Sequence, residues 1–318
     1  MIALFTAHGQ PQTAPGETAP TPASVAAEPE FEPRPVENWL EAQVELHRRG
    51  FSCGSIDGVR GVQSAAALSA FQQFAGLKVT GDLDRPTREA LLLTSPALET
   101  HVLTVFDLGR VAPLPDTWVG KSQVESLKFG SVLELMAETF RASPRFLQRL
   151  NPQIKWDEPL LPGTPIKVPA VGAIALEGRA ARIHVRLAAR ILQVHDAEGR
   201  IIAHFPVSIA KHVDKRPVGE LHVTVTVLDP NYTFDPANFP ENEEARTLTS
   251  KLIIPPGPNN PVGVVWIGLD RPGYGIHGTP DPEKVGRTES HGCFRLANWD
   301  ALKLYDLAWV GLPVMVEP

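Results

Sequence analysis

Cysteine is nearly absent from this chain: Cys53 and Cys293 are the two in 318 residues. Two thiols cannot build a disulfide framework, and their separation in sequence suggests different domains rather than one bridge. Long apolar runs are missing as well, none approaching the roughly 18 residues that a membrane span requires. Nor is positive charge in excess. Thirty Lys and Arg stand against 36 Asp and Glu, for a net charge of -6, which leaves no basic footprint for nucleic acid or anionic lipid. The opening MIALFTAHG stays apolar for only a few residues before His8 and Pro11, short of the roughly 7 to 15 residues of a secretory core segment. No export signal is read there. At this length two or three domains are expected.

What is present divides into four stretches. Residues 1–37 are rich in Pro, Ala, Glu and Thr and poor in large apolar side chains, so they are expected to be a disordered lead that cannot offset its ordering entropy. From Trp39 the texture changes. WLEAQVELHRRGF reads as an amphipathic helix ending near Gly50, and AAALSAFQQFAGL as a second with Leu68, Phe71 and Ala75 on one stripe. IDGVRGVQSAAAL (56–68) and VTGDLDRPTREAL (79–91) align without gaps, an internal echo in which each Gly turn feeds a helix. With Asp57, Gly58, Phe71, Gln72, Gly76, Leu77, Gly81, Thr87 and Leu91 in place, residues 38–95 resemble the peptidoglycan-binding type 1 domain, a small all-α module.

A second unit is expected at 118–170. Leu133, Met136, Ala137 and Phe140 recur at helical spacing, and Ser143 and Pro144 supply an N-cap and first-turn proline for a helix through Leu150. LPGTPIKVP closes it like an edge strand. The order resembles a LysM module, a small α+β binder of N-acetylglucosamine-containing glycans. The segment VGKSQVESLKFGSV stands where that family opens with a strand, without its GD pair.

Beyond Ala173 the period becomes two. ARIHVRL, ILQVHDAEGRIIAHF and LHVTVTVL alternate apolar with polar residues, so 178–318 is expected to be a mainly β domain, an antiparallel sandwich or barrel. Its chemistry gathers at SHGCFRLAN (290–298). An unperturbed thiol, with a pKa of about 8.5, is mostly protonated at neutral pH and needs a base or a cation to attack a carbonyl. His291 and Cys293 in an extended stretch share a face with Cα atoms roughly 7 Å apart, a loose fit. His277 arrives from another segment and is the better base. Gly292 lets a substrate carbonyl approach the backbone, and the amides of Gly292 and Cys293 form a candidate oxyanion hole. Two imidazoles and a thiolate would also suit zinc. Trp266, Trp299 and Trp309 are expected in the core.

FPVSIAK (205–211), PVGE (217–220), PPGPNNPVGVVWIGL (255–269), GYGIHGT (273–279), SHGCFRLAN (290–298) and DALKLYDL (300–307) together resemble the L,D-transpeptidase catalytic domain of the YkuD type. The resemblance implies Cys293 as nucleophile and His277 as its base and later acid, with Ser290, His291, Gly292, Gly278 and Arg295 lining the pocket and no metal or cofactor. It implies attack on the third-residue carbonyl of a peptidoglycan tetrapeptide, release of D-Ala, and transfer to an amine: another stem, or a lysine of an anchored envelope protein. Water as acceptor would make an L,D-carboxypeptidase, and loss of activity a peptidoglycan-binding scaffold. The partners are stem peptides and glycan strands, and the implied location is the cell envelope, periplasmic or extracytoplasmic. The two upstream modules would then act as tethers, leaving the catalytic domain able to process small muropeptides without them.

Overall fold

The computed structural model describes residues 31–172, 178–287 and 292–318, apart from the side chain of Asp214. The helical module begins earlier than its sequence texture indicates. Strand β1 (Arg34–Pro35) pairs antiparallel with β2 (Leu92–Leu93), and Arg34 holds Glu41 through two hydrogen bonds of 3.0 and 2.7 Å. With Val36 fully buried, the expected disordered lead is ordered over its last residues, while its residues 1–30 lie outside the described ones. Helix α1 (Trp39–Arg48) starts where the Asn38 side chain accepts from Glu41 N. Helices α2 (Val62–Phe74) and α3 (Arg85–Ala90) follow. The internal echo has a physical counterpart. The Gln43 amide accepts from Asp57 N and Gly58 N and donates to Asp57 and Val59; the Gln72 amide accepts from Thr80 N and Gly81 N and donates to Asp82 and Thr87. Each positive-φ glycine turn is thus closed by one buried glutamine.

In the middle unit, β3 (Leu98–Val102) pairs antiparallel with β4 (Pro165–Pro169). Between them lie α4 (Val105–Gly109), α5 (Trp118–Ser122), α6 (Val132–Thr139) and α7 (Pro144–Leu150). The opening strand is therefore upstream of the 118–170 interval, and the segment read as that strand holds α5 instead. A two-stranded ribbon buries little, so ETHV carries no clear alternation to mark it.

The third part is an eight-stranded sheet formed by β5 (Arg182–Arg186), β6 (Ile191–His195), β7 (Ile201–Pro206), β8 (Gly219–Leu228), β11 (Val265–Leu269), β12 (Gly275–His277), β13 (Phe294–Arg295) and β14 (Pro313–Glu317), in the order β13-β12-β11-β8-β14-β5-β6-β7. It is mostly antiparallel as expected, but β12–β13 and β14–β5 are parallel. Parallel neighbours need a crossover, and helix α8 (Asn298–Leu307) lies in the connection from β13 to β14. Ser208, just past β7, bridges Arg295 of β13, so the curled sheet closes on itself around a core that includes Val185, Phe205, Ile267, Ile276, Phe294 and Leu304. Strands β9 (Tyr232–Phe234) and β10 (Leu252–Ile254) form a separate hairpin between β8 and β11.

The three parts are joined by backbone and buried side chains. Ser52 N donates to His204 O and His204 N to Gly50 O, at 2.8 and 3.0 Å, so the helical module covers the edge of β7. Ile56 exchanges backbone bonds with Arg141 and Ser143 of the middle unit. Leu127 of that unit packs with Phe234, Ala245 and Ile254 of the hairpin region, and a Cβ on Gly257 would collide with its backbone. Two acids in or against α8 complete the joints. Asp300 accepts from Ser52 Oγ at 2.9 Å, and Glu138 of α6 accepts from Asn298 Nδ2 at 3.0 and 3.2 Å. Burial raises Asp300 to about 7, against the Ser52 hydrogen bond and the Arg141 charge. Burial likewise raises Glu138 to about 8, with Glu134 adding to the shift and Asn298 and Arg110 opposing it.

A fragment of residues 178–318 should unfold at least about 10 °C below the full chain and associate through the bared β7 edge, as read by thermal melting and size-exclusion chromatography; a monomeric fragment of unchanged stability would refute the joint. Both acids bind their protons more tightly when folded, so their stabilisation is complete below the ordinary carboxylate range and is lost as pH rises through 7 to 8. The melting temperature should fall from pH 6 to 9, and Glu138→Gln should remove a large part of that fall, on the order of 2 kcal/mol.

Candidate active site

The site is built where β12 lies between β11 and β13. In the parallel pair, His277 stands opposite Arg295. Because strand side chains alternate, Cys293, two residues before Arg295, shares its face with His277. Strand spacing and rise place the Cα atoms of His277 and Cys293 about 8 Å apart, a gap two side chains turned toward each other can close. Both line one cavity of about 380 Å³, together with Trp118, Tyr232, Phe239, Pro261, Val262, Trp266, Gly273, Gly292 and Arg295. Cys293 is half-buried, and its Sγ donates to Gly273 O at 3.5 Å. Space in front of Gly292 is open, with no heavy atom within 4 Å of where a Cβ would sit, so a carbonyl can reach the backbone there. Thr288, Glu289, Ser290 and His291 lie outside the described residues, so the expected roles of Ser290 and His291 concern positions beyond this description.

Burial dominates the electrostatics. It pushes the Cys293 thiol up, against the Gly275 backbone and the Arg295 charge, which pull it down. It pushes His277 down to about 4; the Arg295 charge acts the same way, while the Gly278 and Val262 carbonyls oppose it. At rest the pair is a neutral thiol beside a neutral imidazole. His277 Nδ1 lies 2.6 Å from Gly278 O, which assigns the ring proton to Nδ1, donating to that carbonyl, and leaves Nε2 as the basic nitrogen. Arg295 is pushed down by burial, and the Asp281 carboxylate opposes the shift. Its Nε is buried without a hydrogen-bond partner, and no ion pair of Arg295 occurs among the described residues.

Several side chains hold this geometry. The Trp266 ring lies across the sheet and stacks on His277 at 5.7 Å; a Cβ on Gly275 would come within 2.7 Å of it. Asn260, fully buried, donates to Pro255 O and accepts from Val262 N, fixing the loop that supplies Pro261 and Val262. Asn298 Oδ1 accepts from Val264 N and Thr279 N at 3.3 and 3.1 Å. A Cβ on Gly278 would collide with that oxygen. Gly278 is therefore required by close approach to Asn298, is not among the cavity's lining residues, and supports His277 through its carbonyl.

The sequence reading missed the aromatic wall. Trp118 stacks on Phe234 at 4.1 Å and lies 6.3 Å from Phe239, while Glu244 accepts from Trp118 N and Val119 N at 2.7 and 2.9 Å. A tryptophan of the middle unit thus borders the cavity of Cys293. Trp266 also lines it rather than the core. The available signal was the aromatic cluster Tyr232, Phe234 and Phe239 in a stretch with little strand pattern.

Comparison with known proteins matches residues 180–316 to the YkuD family, "L,D-transpeptidase catalytic domain", and residues 35–91 to a family described as "Putative peptidoglycan binding domain". The Bacillus licheniformis protein named "Putative L,D-transpeptidase YkuD" is 26% identical over 200 residues, covering 60% of this chain and 97% of that protein. "Putative L,D-transpeptidase YqjB" of Bacillus subtilis is 32% identical over 37% of this chain and 61% of its own length. A solved L,D-transpeptidase from Xylanimonas cellulosilytica aligns at 17% identity over 89% of this chain and 95% of that one, with a TM-score of 0.37, a likeness too low to build on. No described helix is long and apolar enough to cross a membrane. Residues 180–316 thus match the L,D-transpeptidase catalytic domain, and residues 35–91 match a peptidoglycan-binding domain ahead of it.

Proposed function

We propose that Cys293 is the nucleophile of a peptidoglycan L,D-transpeptidase and His277 its general base. The carrying observation is that the two share one small cavity on adjacent strands. The Cys293 sulfur attacks the carbonyl of the third stem residue as His277 Nε2 takes the thiol proton; the amides of Gly292 and Cys293 receive the oxyanion. The C–N bond breaks and the same proton passes to the departing amine of D-Ala. An acceptor amine then attacks the thioester, loses a proton to His277, and the thiol is restored. Arg295 holds a substrate carboxylate. The chain acts in the cell envelope, on the periplasmic or extracytoplasmic side, where stem peptides, glycan strands and anchored proteins are found. In this reading the LysM-like middle unit serves the reaction first as a cavity wall, through Trp118, and glycan binding by it is a separate property.

Incubation with a disaccharide tetrapeptide should give a mass adduct on Cys293 corresponding to the donor less D-Ala, and Cys293→Ala should lower turnover by roughly 10³-fold or more. Release of the adduct to an added amine marks the transpeptidase, release only to water marks the carboxypeptidase, and no adduct with any donor marks a scaffold. Because His277 must be neutral to accept the proton and its pKa is about 4, the acid limb of kcat/KM should fall near pH 4 to 5. A limb at the ordinary imidazole value, about 6.5, would contradict the buried neutral base.

A further inference from the structure

The segment that leads into Cys293 is held from the helical module. Gln63, in the first turn of α2, donates from Nε2 to Val285 O at 2.7 Å. Its side-chain amide lies between two glycines of unrelated segments. A Cβ on Gly54 (φ +74) would come within 2.5 Å of Gln63 Oε1, and a Cβ on Gly286 (φ +71) within 2.6 Å of Gln63 Nε2. Both positions have a positive φ, a backbone region that glycine favours, and a Cβ at either would displace the Gln63 amide. Beyond Gln63 the anchor continues into the catalytic sheet. Gly286 N donates to Ser208 Oγ at 2.9 Å, Arg190 Nη1 donates to Gly286 O at 3.2 Å, and Ser208 exchanges backbone bonds of 2.9 and 3.0 Å with Arg295. Ser208 thus ties both ends of the stretch carrying Cys293, and Gln63 fixes its upstream end.

We infer that Gln63 is a positioning residue for the reaction: through Val285, Gly286 and the Ser208 contacts to Arg295 it bears on the strand beside Cys293, so the helical module takes part in placing the nucleophile. The inference rests on the function proposed above. A single neutral hydrogen bond contributes only about 1 kcal/mol to stability, whereas a displacement of the reacting atom by about 1 Å costs on the order of 100-fold in rate. The effect of Gln63 therefore falls on kcat more than on folding.

The test compares the full chain with Gln63→Met, which keeps length and volume and removes the donor. Two quantities are read: turnover of a disaccharide tetrapeptide, and the rate at which iodoacetamide alkylates Cys293, followed by peptide mass spectrometry. The second needs no substrate, so it stands even if the transpeptidase reading fails. Cys53, buried and with its thiol pushed well up, serves as the internal control for unfolding. The expected result is a kcat lowered about 10-fold, KM within about twofold, a Cys293 alkylation rate changed by about threefold or more, and Cys53 still unreactive. Gly286→Ala, which drives a Cβ against the same amide, should change the alkylation rate as well. Wild-type alkylation in both variants would overturn the inference, as would a loss confined to KM, which would make Gln63 a binding residue.

Discussion

One buried amide, that of Asn298, governs the geometry of this molecule. It follows the cysteine by five residues and opens the helix after β13. Its oxygen gathers the amides of Val264 and Thr279, and its nitrogen reaches Pro258 O and Glu138. The loop behind His277, the loop bearing Val262 and a helix of another unit are thereby tied to the chain that carries Cys293. Two glycines, Gly263 and Gly278, come close enough to Asn298 that neither can bear a Cβ. Relative placement of imidazole and thiol is thus set by covalent proximity and sterics, not by a direct ion pair between them.

The same principle operates at the larger scale. Each part contributes something the others lack: the helical module an edge cover for β7 and the Gln63 contact, the middle unit Glu138 and Trp118, the sheet the reactive groups. Polar joints dominate where the parts meet, and their partners are buried, so each is costly to leave half-made. Modular in sequence, the chain is continuous in its hydrogen bonding from residue 34 to the last strand, outside the residues left undescribed.

Much of this was legible from the residues. His277 and Cys293 stand out because glycine, histidine and cysteine occur together in short motifs, and the β texture past Ala173 is a strong period-two signal. The Gly turns of the helical module are visible in its internal echo. What escaped is what depends on distant partners. Trp118 acquires meaning only from aromatics more than 100 positions away; Glu138 reads as the solvent side of an amphipathic helix until Asn298 is set against it. The strand at 98–102 has almost no buried face. Gly278 looks like a pocket residue because it adjoins His277, yet its requirement comes from Asn298.

A thiol held toward its protonated form has a second consequence. Peroxides and other electrophiles attack the thiolate, so a cysteine whose pKa is held up by enclosure is oxidised slowly to sulfenic acid and beyond. Cys293, half-enclosed and pushed toward its neutral form, would by that rule react slowly with peroxide. The enclosure that holds the thiol neutral thus also spaces it from chance electrophiles in the surrounding solvent.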